Sequence, residues 1–412
     1  MKNRLKVLHI VGGDLNGGAA RGAYWLYLGL NRLGVDNKIY TNSKNTFSDE
    51  NIFTINSSKI ENFLCFFRGW LDKIISKIYG VKGNFSTGCF GKDFTKSKFY
   101  KDADIIHLHW INDGLVNIKH LRKINKPIVW TLRDIWPITA GCHVDYYNCN
   151  CFKTGSKCKY LNIKSKFDIS KYIFNRKEKY YPKNMKIIGI SNWLSEKARN
   201  SKIFREYDVR TIHNNINIDD FYSVKKDISK KTFGIKSDKK VILCGSVNLD
   251  NPWKGLNEYQ DAISKLDKEK YLLCFFGNLR KIPDSFLEYE CFNFGFLNDS
   301  ASLRNAYNCA DVFVAPSIAE PFGKTIVESM ACETPVVCFD ATGPKDIVTH
   351  MHDGYKASPF DSHDLAKGIE WVCSNKNYNV LCLNAREKVL KKFDNNEVAK
   401  KYINLYDELL NQ

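Results

Sequence analysis

The feature that most constrains this chain is an alternation of short apolar runs with longer stretches of helical periodicity. Residues 5–11, 105–109, 128–132 and 186–190 are strand-length and almost continuously apolar. Runs of that kind are what strands buried on both faces of a parallel sheet look like. A second series follows at residues 241–245, 271–277, 312–316 and 335–339. Each run is followed by a helix-length segment; the first, residues 20–33, ends at Gly34. Such alternation predicts an α/β fold with doubly wound parallel sheets, not a sandwich or a bundle. The break near residue 215 predicts two domains, residues 1–215 and 216–393, before a last helical segment at 395–410. The 412 residues are enough to give each domain its own core, and no solenoid period is present.

Charge narrows the partners. Lys and Arg number 62 against 45 Asp and Glu, a net charge of +17. That excess selects for anions: nucleic acid, a phosphate-bearing ligand or an acidic membrane surface. The basic residues are spread over both halves with no nucleic-acid motif, which argues against nucleic acid. No run of 18 apolar residues exists, so no transmembrane helix is expected. The first apolar run stops at Gly12-Gly13-Asp14 and reads as a strand, not as a signal peptide. The expectation is a cytoplasmic chain. Most of the 14 cysteines fit it: Cys244, Cys274, Cys332 and Cys338 stand singly in apolar runs, as small core hydrophobes.

Two segments stand outside this pattern. The first is an insert at residues 59–101, with a predicted helix over 60–79 that carries Phe63, Leu64, Phe66, Phe67, Trp70, Leu71, Ile74, Ile75 and Ile78 beside Arg68, Lys73 and Lys77. A basic helix with bulky apolar residues can lie in a membrane interface. Its stripe can equally pack on the domain, leaving the lysines solvated. A second basic stretch, 164–186, adds to the membrane reading. The second segment holds Cys142, Cys149, Cys151 and Cys158, with His143 beside the first and gaps of six, one and six residues. Four thiolates can hold a structural zinc. The spacing lacks paired short knuckles, so reduced thiols pinning a loop, or a redox-labile pair, stay open.

Four motifs carry chemistry. Gly12-Gly13-Asp14-Leu15-Asn16-Gly17-Gly18-Ala19 follows the first strand, where glycines let backbone N–H groups approach a diphosphate or sugar. It is not the dinucleotide G-x-G-x-x-G pattern, and a plain strand-to-helix turn is the bland alternative. Glu320-Pro321-Phe322-Gly323-Lys324-Thr325 leads from a loop into a helix containing Glu328. A helix N-terminus favours an anionic leaving group. Lys254 follows the first strand of the second domain, at the sheet edge where open α/β sheets bind ligands. His107-Leu108-His109-Trp110 and Thr131-Leu132-Arg133-Asp134 end two strands of the first domain. His109 is a candidate for orienting an acceptor hydroxyl, and a structural histidine is the alternative.

Together these residues resemble the GT-B glycosyltransferases, specifically glycosyltransferase family 4, the glycosyl transferases group 1 type. Glu320 and Glu328 match its Glu, seven residues, Glu signature; Thr334-Pro335-Val336-Val337 and the run from Gly343 to Val348 are also similar to it. Residues 130–143 with the trailing cysteines resemble a bacterial subgroup that builds surface polysaccharides. The resemblance implies two Rossmann-like domains facing across a cleft, with the C-terminal helix, 394–412, joining the first. It implies a retaining transfer from a nucleoside-diphosphate sugar to a glycan acceptor, without metal or other cofactor for the chemistry; the basic aromatic insert adds the expectation of a lipid-linked acceptor and of a peripheral place at the inner face of the membrane. Carried over by position, Glu320 contacts the transferred sugar, Glu328 the ribose, and Lys254 the diphosphate with backbone groups of Phe322, Gly323, Lys324 and Thr325. Phe296 and Leu297 lie against the base, and Gly17 and Gly18 line the diphosphate. Relatives carry an Arg where Ser246 or Val247 stands and a His where Arg133 stands, so no general base is assigned. A nucleotide-sugar epimerase and a non-catalytic sugar-nucleotide binder are the competing readings.

Overall fold

The computed structural model describes residues 5–15, 17–42, 49–54, 58–81, 83–146, 148–161 and 168–411. The chain forms two units: residues 1–215 with 395–412, and residues 216–394.

The first unit is built on seven parallel strands, β1 (Lys6–Val11), β2 (Asp36–Thr41), β3 (Ile52–Thr54), β4 (Ile105–Leu108), β5 (Ile128–Leu132), β6 (Met185–Gly189) and β7 (Asp208–Thr211), in the order β3-β2-β1-β4-β5-β6-β7. β1, β4 and β5 are buried along nearly their whole length, which is why they are apolar on both faces. Helix α1 (Gly18–Arg32) follows β1. α2 (Lys59–Ile78) belongs to the insert, and α3 (Ile169–Tyr180) precedes β6.

The second unit has six parallel strands, β8 (Lys240–Asn248), β9 (Tyr271–Asn278), β10 (Glu290–Asn293), β11 (Val312–Ala315), β12 (Val336–Phe339) and β13 (Gly354–Ala357), in the order β10-β9-β8-β11-β12-β13. Its helices include α4 (Leu256–Ile263), α5 (Ser300–Cys309), α6 (Lys324–Ala331), α7 (Ser362–Cys373) and α8 (Tyr378–Lys392). The order reverses between β8 and β11. A crevice opens at such a switch point, at the C-terminal ends of the strands. Both units are therefore Rossmann-like and doubly wound, the expected fold class.

The last helix, α9 (Asn395–Leu410), returns to the first unit. Val398, Ala399, Tyr402, Leu405 and Tyr406 share one core with Val7, Leu26, Leu30, Ile105 and Ile188. The approach is close: a Cβ on Gly29 of α1 would lie 2.5 Å from the Asn395 carbonyl oxygen.

The insert helix docks in an unexpected way. α2 buries Cys65, Gly69 and Asp72, a face of small and polar groups. Gly69 comes against Asp113, and the Asp72 carboxylate accepts from the Thr87 backbone N–H at 3.1 Å. On the opposite face Ile60 and Phe66 are each 72% exposed, Phe63 64% and Trp70 46%. The apolar stripe thus divides: its N-terminal half, with Phe63, Phe66 and Trp70, points outward, while Leu71, Ile74 and Ile75 are half-buried. The basic stretch 164–186 divides: residues 162–167 lie outside the described residues, while Lys177 of α3 is fully buried.

Gly29→Ala tests the seat of α9. Alanine is the better helix former by roughly 1 kcal/mol, yet its methyl would meet backbone. We expect a net loss of about 1–3 kcal/mol by urea denaturation; a neutral or stabilised variant would contradict this packing.

Candidate active site

In the second unit, the loops after β8 and β11 are tied together at the switch point. Ile318 N–H donates to the Trp253 carbonyl at 2.9 Å. Gly255 has φ +74°, and a Cβ there would sit 1.8 Å from the Pro316 carbonyl oxygen, so only glycine permits the approach. This contact sets Lys254 opposite Glu320, and Lys254 Nζ donates to Glu320 Oε2 at 2.5 Å. Both side chains are about one-quarter exposed or less, 24% and 21%. The loop after β12 joins them: Gly343 N–H donates to the Glu320 carbonyl at 2.8 Å.

Glu320 leads into α6 through Gly323, at φ +119°. No side chain caps this helix, and its first turn holds no acidic residue. Its N–H groups and positive dipole end therefore favour an anion. Glu328, on α6, has a side chain only 2% exposed. Its Oε2 accepts from the Tyr307 hydroxyl at 2.8 Å, while Oε1 lies 3.4 Å from Lys324 Nζ and has no hydrogen-bond donor. Burial, followed by the Glu328 charge, pushes the Tyr307 phenol well up, which keeps it a donor.

The remaining expected donor-site residues divide by exposure. Phe296, 52% exposed, and Leu297 lie on the loop after β10, which is tied to β9 by the Gly277 N–H to Gly295 carbonyl bond at 2.8 Å. Thr325 is half-buried on the first turn of α6. Phe322 is 3% exposed and packs edge-on against Phe393, so its ring serves the core and only its backbone faces the loop. Gly17 and Gly18 open α1 in the first unit, both exposed and with no side-chain cap. Sequence reasoning missed Tyr307 and Thr342. Thr342 precedes the Gly343 turn with φ +50°, and its buried hydroxyl has no partner. The only signal for it was a Thr-Gly-Pro after a strand.

His109 lies elsewhere, in the core of the first unit, 1% exposed. Its Nδ1 accepts from Arg133 at 3.1 Å, and its Nε2 lies 3.0 Å from His9 Nδ1. His107 stacks on it at 4.1 Å, with its own nitrogens bonded to Tyr406 and Thr131 hydroxyls at 2.6 and 2.7 Å. Parallel register produces the group: His9 on β1 stands beside His107 on β4, with His109 two residues further on. Both His109 nitrogens are engaged within the unit, so orienting an acceptor does not follow from its placement. Arg133 is buried as well and donates to Asn214, which takes it away from any phosphate outside that core.

Burial lowers all three imidazoles, with neighbouring histidines or Arg133 adding to the effect; His9 falls to about 3. The unfolded chain takes up these protons near pH 6.5 and the native chain far lower, so stability is full above 6.5 and falls as the pH drops. For His9 the loss runs down to about 3. Each imidazole contributes a slope of about 1.4 kcal/mol per pH unit. Denaturation curves at pH 7, 6 and 5 should show it; equal stability at pH 7 and 5 would contradict the neutral buried cluster.

Residues 225–389 match the family described as Glycosyl transferases group 1. An uncharacterized glycosyltransferase of Methanocaldococcus jannaschii is 28% identical over 235 residues, 53% of this chain and 59% of that protein. The Campylobacter jejuni N,N'-diacetylbacillosaminyl-diphospho-undecaprenol alpha-1,3-N-acetylgalactosaminyltransferase is 27% identical over 44% of this chain and 52% of its own length. The chain thus spans just over half the length of these two relatives. Anabaena HepE, solved in complex with UDP-glucose, aligns over 98% of this chain and 100% of its own, with a TM-score of 0.68 and 17% identity, a likeness of fold. The second unit therefore carries, over residues 225–389, a glycosyl transferases group 1 domain.

Proposed function

We propose that this protein is a retaining glycosyltransferase of family 4 that moves a sugar from a nucleoside-diphosphate sugar to a glycan or lipid-linked oligosaccharide in surface-polysaccharide assembly. The observation that carries the reading is the Lys254–Glu320 pair, held at the switch point on the loop that enters the uncapped α6. A nucleoside diphosphate competes with Glu320 for the Lys254 ammonium. Its phosphates meet the N–H groups of Lys324 and Thr325, and the released Glu320 carboxylate faces the sugar. Glu328 Oε1, without a donor of its own, accepts from a ribose hydroxyl. In the reaction the bond from the anomeric carbon to phosphate oxygen breaks, and a bond to the acceptor oxygen forms on the same face. The acceptor proton passes to the departing phosphate. Fixed positive charge and oriented N–H groups stabilise that leaving group, the largest catalytic contribution.

The acceptor side is supported by a pocket of about 550 Å³ in the first unit, whose lining includes Asp14, Asn42, Phe66, Trp70, Lys73 and Asp113. Aromatic faces suit sugar rings, and the polar groups suit their hydroxyls. Phe66 and Trp70 belong to the outward stripe of α2, whose Lys73 and Lys77 fall one and two turns beyond Trp70. No helix among the described residues is long and apolar enough to cross a membrane. An apolar stripe flanked by lysines on a strongly basic chain fits the headgroup region of an anionic bilayer, and it brings the pocket to a lipid-linked acceptor.

Glu320→Ala should lower kcat by about two to three orders of magnitude with the circular dichroism unchanged; full turnover would remove Glu320 from the mechanism. Glu328→Ala should weaken donor binding about tenfold or more, as loss of a charged hydrogen bond does. Unchanged donor affinity would count against the ribose contact. For the membrane face, the full chain should sediment with vesicles containing anionic phospholipid, and Phe63→Asp with Phe66→Asp should cut binding about tenfold or more. Equal binding by the variant would refute that assignment.

A further inference from the structure

The four clustered cysteines lie on an irregular loop after β5, in the first unit. Among the described residues between 139 and 161 the one α-helical segment is the single turn Cys151–Thr154, and beyond the Phe85–Cys142 bridge no strand pairing holds the loop. Yet Cys142, Cys149, Cys151 and Cys158 are all buried, at 0, 2, 1 and 4% exposure. Their four Sγ atoms lie within 4.8 Å of one another. Cys142 and Cys151 stand 3.7 Å apart, and Cys149 and Cys158 3.9 Å.

Those separations fit one chemistry. A disulfide needs about 2.05 Å between sulfurs, and none of the four is so bonded. Thiolates bound to zinc at about 2.3 Å in a tetrahedron stand about 3.8 Å apart along each edge. Two opposite edges already have that length, and the group is too tight for a cluster of several metals. The surroundings suit a bound anionic centre. Lys159 N–H points at Cys149 Sγ from 3.4 Å, the kind of contact that orients a metal-bound thiolate. Zinc with four thiolates carries a net charge of −2. The Lys177 amino group is buried, which lowers its pKa, and an anionic centre beside it favours its charged form. This amino group is held by the Trp136 and Thr139 carbonyls, 3.7 Å over the Trp136 ring, and it feels the Cys142 and Cys151 sulfurs.

We propose that Cys142, Cys149, Cys151 and Cys158 bind one structural Zn²⁺. The ion takes no part in glycosyl transfer. It fixes the loop, whose ends reach α3 through the Cys158 N–H to Ser170 bond at 3.4 Å and the helix Asn192–Arg199 through the Asp145–Lys197 pair at 2.5 Å.

The full chain, purified under reducing conditions without chelator, should contain about one zinc per molecule by elemental mass spectrometry. Cys149→Ser with Cys158→Ser should bring this below about one-tenth, while Cys332→Ser, a buried cysteine of the second unit, should leave it unchanged. Because the double variant can fail to fold, the wild-type chain is also tested with Co²⁺ in place of zinc. Thiolate-to-cobalt charge-transfer bands and intense tetrahedral d–d bands are expected. A reduced chain that retains no zinc after incubation with zinc sulfate and desalting would overturn the proposal. So would a folded double variant that keeps its zinc, or disulfides among these cysteines in protein alkylated at lysis.

Discussion

The second unit depends on the contact between Gly255 and the Pro316 carbonyl. Two parallel strands that part at a switch point leave their following loops free to diverge. Here they are closed onto each other by a glycine that no side chain could replace and by the Trp253 carbonyl, which accepts from Ile318. The pairing at the head of that unit's site is placed by this closure. It brings Lys254 to Glu320 on the loop that enters the bare N-terminus of α6, while packing of α6 on α5 sets Glu328 against Tyr307.

The first unit uses its polar residues differently. Three of its histidines meet inside the sheet-and-α9 core: His9 pairs with His109, His109 with Arg133, and His107 stacks on His109 and bonds to the Tyr406 hydroxyl and, through Thr131, to that of Tyr402. They form a sealed polar network that holds the returning C-terminal helix. The outward business of the unit falls to the insert, where α2 turns its small face inward and Phe63, Phe66 and Trp70 out. That arrangement leaves apolar area exposed on α2, a feature of interaction surfaces.

Much of this was legible in the chain. The central strands were readable because burial on both faces demands unbroken apolar runs, as in residues 128–132 and 312–315. The inner strand β2 and the edge strands β3, β7, β10 and β13 were not. β2 reads Asp-Asn-Lys-Ile-Tyr-Thr and β13 Gly-Tyr-Lys-Ala, and neither has a pattern that separates it from a loop. Lys254, Glu320 and Glu328 were readable as a set because of their spacing around a strand end and a helix start. Their pairing was not, since it arises from a loop-to-loop contact across 66 residues. His109 shows the converse failure. A histidine at a strand end looks the same in sequence whether it faces solvent or a core, and here Arg133 and His9 claim both its nitrogens.

The central claim is that Lys254 greets the diphosphate of an activated sugar. Calorimetric titration of a nucleoside diphosphate into the wild-type chain and into Lys254→Met tests it most directly. The account predicts saturable binding that weakens at least about tenfold in the variant, equivalent to about 1.4 kcal/mol. Equal affinity in the two proteins would contradict it.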